Sequence, residues 1–306
     1  MNGPWQSTVR STRALPRDRL ILLTLLAVVT AAAWALTAYQ ATTMDMPMGV
    51  VPRAAPVAPD ASGPPERMGG MAMDGMAVDD AADTATMGMA GAGWSLAGFV
   101  AFVVAWAVMM AAMMFPAAAP MILLFQATAA RRKAAGRAFV PTWVFVVGYL
   151  LVWTTIGVIT WLLVQVASDV AGQLGAASRE TWAPLALGTI LVLAGLYQLT
   201  PLKRVCLDHC RSPFGFVMTH WREGYGGALR MGIIHGLFCL GCCWALFAVL
   251  VAAGVMSLAW MLLLTLVVFA EKVLPGGQRT SQGVGVALLI LGVVVASGVL
   301  RFPWMA

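Results

Sequence analysis

Seven apolar stretches, each near the length a helix needs to cross a bilayer, dominate the sequence: about 20–38, 95–126, 141–167, 183–201, 231–253, 256–273 and 284–302. About 20 apolar residues span the hydrocarbon as an α-helix, because a helix pairs every backbone N–H and C=O within the segment. An all-α, polytopic transmembrane helical bundle of about seven helices is therefore expected. Composition agrees. The chain is 60% hydrophobic and 10% charged, with a mean hydropathy of +0.84, whereas about a quarter of a soluble domain is charged. The net charge of +6 does not indicate nucleic acid. Its basic residues fall in short clusters between apolar runs, as membrane topology requires, and make no folded basic domain.

Those clusters alternate along the chain. Arg10, Arg13, Arg17 and Arg19 precede the first run; Arg131, Arg132, Lys133 and Arg137 follow the second. Lys203, Arg204, Arg211, Arg222 and Arg230 lie between the fourth and fifth runs, and Lys272 and Arg279 between the sixth and seventh. The intervening segments carry few basic residues, so the positive-inside rule predicts an N-in/C-out topology in a bacterial-type inner (plasma) membrane. The second run carries Pro116 and Pro120 and is expected to be kinked or partly interfacial. The first reads as a retained anchor rather than a cleaved signal peptide. Ala33-Trp34-Ala35 resembles a cleavage site, but the apolar stretch runs past it and exceeds a typical signal core.

Three segments follow: 1–38 as a cytoplasmic tail and anchor, 39–93 as an extracytoplasmic linker, and 94–306 as a six-helix membrane core. The linker is rich in Pro, Gly, Ala and Asp and lacks any period that could bury a core, so it reads as disordered. It holds nine of the chain's 20 methionines: Met44, Met46, Met48, Met68, Met71, Met73, Met76, Met87 and Met89. Thioether sulfur is a soft ligand that selects copper(I) and forms no disulfide in an oxidising compartment. Two readings stand for the linker, a metal-capture arm and a tether with incidental Met bias.

Further soft ligands lie in the core. Met109, Met110, Met113 and Met114 just precede Pro116, and their i, i+4 pairs share one broad helix face; packing between helices is the plain alternative. His235, Cys239, Cys242 and Cys243 fall within roughly a 100° arc of the fifth run. An ionisable imidazole inside a bilayer is a functional candidate by default. Cys206, His209 and Cys210 lie in a basic loop expected to face the reducing cytoplasm, where paired cysteines more often bind metal or cycle redox state than form structural disulfides. Their spacing suits a short helical turn. All five cysteines thus sit in two clusters, each with a histidine. Copper(I) is the leading metal for this donor set, and zinc an alternative. Lys272 is accounted for by snorkelling to the interface, and Glu271 by a counter-charge or surface role.

The run Met109–Pro116, the block Cys-Leu-x-x-Cys-Arg-x-Pro at Cys206–Pro213, Gly-x-x-Cys-x-Gly-Cys-Cys-Trp at Gly236–Trp244, and Glu271-Lys272 resemble the DUF2182 family over roughly residues 94–275. That resemblance implies a metal-binding integral membrane protein, with no established reaction and no choice of metal. The leading expectation is transport of copper(I), or its delivery to a protein partner. Against it stand a membrane thiol redox protein using Cys242/Cys243 and Cys206/Cys210, and an accessory subunit of a larger membrane complex. Neither GxxxxGK[ST] nor a DKTGT-like segment is present, which argues against ATP-driven pumping by this chain alone. Enzymatic activity is not expected.

Overall fold

The computed structural model describes residues 17–43, 94–137, 140–173, 176–253 and 258–299. Of the expected linker 39–93, residues 39–43 continue helix α1, and 44–93, with all nine linker methionines, lie outside the described residues. Among them the chain is a helical bundle with no strand: α1 Arg17–Thr43, α2 Leu96–Ala134, α3 Thr142–Gln173, α4 Ala176–Leu199, α5 Pro201–Arg211, α6 Pro213–His220, α7 Gly224–Ala253, α8 Leu258–Val273 and α9 Gly277–Ala296. Six of them (α1, α2, α3, α4, α7 and α9) are long and apolar enough to cross a membrane. The expected sixth span, α8, has 16 described residues. At 1.5 Å per residue it measures about 24 Å, short of a hydrocarbon core of about 30 Å. Among the described residues, six helices therefore reach the length of a span, in keeping with the expected helical bundle.

Helix α2 runs unbroken through Pro116 and Pro120 for 39 residues, about 58 Å by the same rise, and continues into its basic end Arg131, Arg132 and Lys133. Proline lacks an N–H, so the carbonyl four residues earlier loses its helical partner. For Pro116 that carbonyl belongs to Ala112, and the indole of Trp34 on α1 donates to it at 3.1 Å. A second indole does similar work deeper in the bundle. Trp106 of α2 donates to the Trp153 carbonyl of α3 at 2.9 Å, in space left by Gly157, where a Cβ would strike the indole ring.

Close backbone approach sets the other seams. On α3 and α7, a Cβ at Gly148 would meet the Leu229 carbonyl, and one at Gly232 the Phe145 carbonyl. On α4 and α9, Gly188 faces Gly292 and Gly195 faces Gly285 in the same manner. Small residues let membrane helices pack backbone to backbone, where dispersion replaces the absent hydrophobic drive.

The loop predicted between the fourth and fifth runs is helical. Thr200 caps α5, its hydroxyl accepting from the Lys203 N–H, and Pro201 occupies the first turn, where proline's fixed φ favours helix and its missing N–H costs nothing. Pro213 likewise occupies the first turn of α6, after Ser212, which makes no side-chain cap bond. At the far end of α2, Arg132 stacks over the Trp221 ring at 4.8 Å and pairs with Glu223 at 3.4 Å. The rod that carries the Met stripe thereby grips the entrance to α7.

Candidate metal centre

Helix α7 presents Met231, His235, Cys239 and Cys242 inward, spaced by four, four and three, so one stripe faces its neighbours. All are buried, as is Cys243. His235, 3% exposed, lies beside Phe145 and Tyr149 of α3, its ring centroid 5.9 and 5.6 Å from theirs and nearly parallel. Phe216 of α6 meets it edge-on at 5.5 Å. Its Nδ1 is buried without a hydrogen-bond partner. A buried polar atom left unpaired is costly and calls for an explanation, and for an imidazole nitrogen a soft cation is a chemically suitable one.

One turn on, the Cys239 sulfur receives the Lys272 ammonium at 2.8 Å and lies 3.1 Å from the Tyr149 hydroxyl. The Cys242 thiol donates to the Cys239 carbonyl at 3.1 Å. Its sulfur is 3.3 Å from Cys243 Sγ and 3.8 Å from Cys210 Sγ, which α5 brings in from outside the span. Cys206, one turn before Cys210, lies over Gly241; a Cβ there would come within 2.7 Å of its sulfur. Burial pushes the Cys206 thiol above its ordinary range. The Tyr197 hydroxyl of α4 donates to the Gly241 carbonyl and ties a third helix to the same turn.

The two cysteine clusters of the sequence thus meet, through Cys210 and Cys242. Two sulfurs bound to one ion at about 2.3 Å can lie up to about 4.6 Å apart, so both contacts of Cys242 fall within ion-sharing range. Among the described residues, however, no three or more His, Cys, Asp or Glu side chains are grouped to hold a metal ion. Cys242 is the sulfur that touches both Cys210 and Cys243, and Cys239 is engaged by Lys272 and Tyr149.

His209 takes another direction. Its Nδ1 pairs with the Val205 carbonyl at 2.9 Å and its ring stacks on Phe238 at 4.1 Å, 7° from parallel. Met109, Met110, Met113 and Met114 are fully buried in the same core as the cysteines, but α2 packs mainly against α1 and α3, whereas α7 packs mainly against α3, α5 and α4.

The snorkelling read for Lys272 needs correction, and of the two roles open to Glu271 the structure supports the counter-charge and not the surface one. Lys272 does not snorkel to an interface: it is buried against Cys239. Glu271 is no surface residue. It is 1% exposed and pairs with Lys203 at 2.7 Å, itself 1% exposed. Gln198 of α4 donates to Glu271 Oε1 at 3.3 Å and accepts from Lys203, while Ser281 of α9 donates to Gln198. Lys203, Gln198 and Tyr149 were not singled out from the sequence. Lys203 sits in a basic loop cluster, which topology alone explains, and no local pattern marks the other two.

Residues 103–295 match the model of the PpoB2 family, described as a copper chaperone. The chain belongs to this copper chaperone family. No curated protein and no solved structure matches it. The matched segment runs from α2 to α9 and contains the Met stripe, the whole of α5 and all five cysteines. Membership in a copper chaperone family ties the chain to copper handling, and the apolar helices make it a multi-pass membrane protein.

Proposed function

We propose that this chain carries copper(I) within a bacterial-type inner membrane and passes it to a protein partner or across the bilayer. The observation that carries the reading is the approach of Cys210 to Cys242 at 3.8 Å, which joins a thiol outside the span to the buried thiols of α7. Sulfur donors in an apolar shell favour copper(I) over copper(II) and over hard cations. Zinc fits less well, because four-coordinate tetrahedral sites are its habit and the described residues hold no group of three or more His, Cys, Asp or Glu placed to bind one ion. In this reading Cys206 and Cys210 exchange the ion with the interior. Cys242, Cys243, Cys239 and His235 hold it, and Met109, Met110, Met113 and Met114 continue the path, with the linker 39–93 as a capture arm.

The decisive measurement is elemental analysis of the full chain, purified in mild detergent under reducing conditions after growth with copper. Wild type should retain copper in preference to zinc. Cys210→Ser combined with Cys242→Ser should lower the copper-to-protein ratio at least about tenfold, since soft-ligand loss removes most of the affinity. Equal copper in both proteins would sink the reading.

A thiol redox function gains some ground from the same contact. Cys210 and Cys242 come from different helices, so a disulfide between them avoids the strain of the vicinal Cys242/Cys243 pair. It predicts that the pair cycles between thiol and disulfide in cells without copper. Acid-trapped samples that stay fully reduced under both copper limitation and oxidant stress would eliminate it.

A further inference from the structure

Glu271 and Lys272 are consecutive, yet they serve different helices. Glu271 Oε2 binds Lys203 of α5 at 2.7 Å, and Lys272 binds Cys239 of α7 at 2.8 Å. On α5, Lys203, Cys206, Leu207 and Cys210 follow the i, i+3, i+4, i+7 pattern of one helix face. Leu202 and Val205, on other faces, are 60% and 53% exposed. The buried face thus has a charge at one end and the Cys210 thiol at the other, about 10 Å apart along the axis.

We propose that Lys203 and Glu271 are a positioning pair, which seats α5 so that Cys210 stands at ion-sharing distance from Cys242. The proposal deepens the copper reading and rests on it for its meaning, but not for its geometry. Besides its contacts with α7, two other hydrogen-bonded ties fasten α5 to the ends of α8 and α9. Gln278 donates to Asp208 at 2.6 Å at an exposed site, and Arg211 reaches the Glu271 and Leu274 carbonyls at the end of α8. Neither joins two opposite charges, and neither is fully buried. The Lys203–Glu271 pair differs in kind. With both ions almost wholly out of water, removing one leaves the other uncompensated, and the survivor must draw in water or move out to it. Either response lifts α5 from α8. The amide of Gln198 bonds to both members, and Ser281 to Gln198, so the pair reads the placement of α4, α8 and α9 together. Seating of α5, and with it of Cys210, therefore requires these helices to be in register.

The test uses the full chain in native membranes, with Cys206, Cys239 and Cys243 replaced by Ser so that Cys210 and Cys242 remain. Diamide oxidises two neighbouring thiols to a disulfide and is itself reduced to the hydrazine. The linked peptides are then quantified by mass spectrometry. Lys203→Met and Glu271→Gln should each slow Cys210–Cys242 linkage at least about fivefold, because the buried ion left behind displaces α5. Lys203→Arg keeps the charge and should stay within about twofold. Exchanging the two charges, Lys203→Glu with Glu271→Lys, should recover most of the rate, a recovery that mere loss of packing does not give.

Linkage at the parental rate in Lys203→Met would overturn the proposal. If that variant fails to insert, Glu271→Gln, close in shape to the native residue, decides in the same way. No metal enters this readout. Absence of copper from the wild-type protein would refute the transport reading and leave the positioning role standing, and unaltered linkage would refute the positioning role alone.

Discussion

The indole of Trp34 donates to the Ala112 carbonyl, the acceptor that Pro116 deprives of its helical N–H. The proline and its remedy come from different helices, so the first helix is matched to the second at one identifiable rung. Trp34→Phe keeps the ring and removes the donor, leaving a carbonyl unpaired inside the bundle. It should lower stability by about 1–2 kcal/mol, measured by denaturant titration in detergent. In a Pro116→Ala background, where the carbonyl regains a helical N–H, the same substitution should cost about half as much or less. Equal losses in both backgrounds would show that the two residues are not coupled.

Gly241 is expected to be intolerant of any side chain. A Cβ there would stand 2.7 Å from Cys206 Sγ, beside the Tyr197 hydroxyl bond to the Gly241 carbonyl. Gly241→Ala should therefore cost about 1–3 kcal/mol as overpacking and push α5 outward. Cys206→Ala removes the obstructing sulfur, so the double variant should regain most of that loss. A double variant no more stable than Gly241→Ala would mean the collision is not with Cys206.

Packing and ligation by the Met stripe can be separated with leucine. Met and Leu have similar volumes, so each exchange at Met109, Met110, Met113 or Met114 should cost less than about 1.5 kcal/mol, whereas Met→Ala costs about 2–5 kcal/mol. Leucine offers no sulfur. The fourfold Leu variant should insert and keep far more stability than the fourfold Ala variant, yet retain less copper than wild type in elemental analysis. Undiminished copper would reduce the stripe to packing.

The Lys203–Glu271 pair carries a stability prediction of its own. Lys203→Met alone should cost about 3–5 kcal/mol, because Glu271 is left as a buried unpaired ion, whereas joint replacement by Met and Leu should be near neutral. Thermal unfolding of the three proteins in one detergent checks the sign. A double variant as unstable as the single one would show that the cost lies in packing, not in charge.

Hydropathy and the Lys/Arg clusters carry the architecture, since a span must be apolar for its full length whatever it packs against. The spacing of Cys206 and Cys210 already suits a short helical turn outside the spans, whereas Thr200-Pro201, read as the end of the fourth run, proves to be the cap that starts it. Partnerships are a different matter. Lys203 lies in a cluster that topology explains, and Glu271 and Lys272 stand at the end of an apolar run, where an interfacial reading is cheaper than a buried one. Packing of α5, α7 and α8 on one another, with Gln198 of α4 between, buries them. Likewise, cysteine spacing fixes which thiols share a helix face, but not that Cys210 would meet Cys242, because that contact depends on the angle at which α5 leaves α4. His209 illustrates the converse. Its neighbour in sequence meets Cys242, while its own ring turns to Phe238.

The seam between α4 and α9 has a consequence for biosynthesis. A ribosome delivers α4 and α5 well before α9, yet Gly188 and Gly195 are shaped to receive Gly292 and Gly285, and Gln198 and Asp208 receive Ser281 and Gln278. Until α9 is inserted, the thiols of α5 belong to a helix whose fastenings are incomplete. The seating of α5 is thus completed only after α9 has emerged, and a chain truncated before α9 would reach the membrane with its cysteines but without the Gln278 and Ser281 contacts that help to hold them in place.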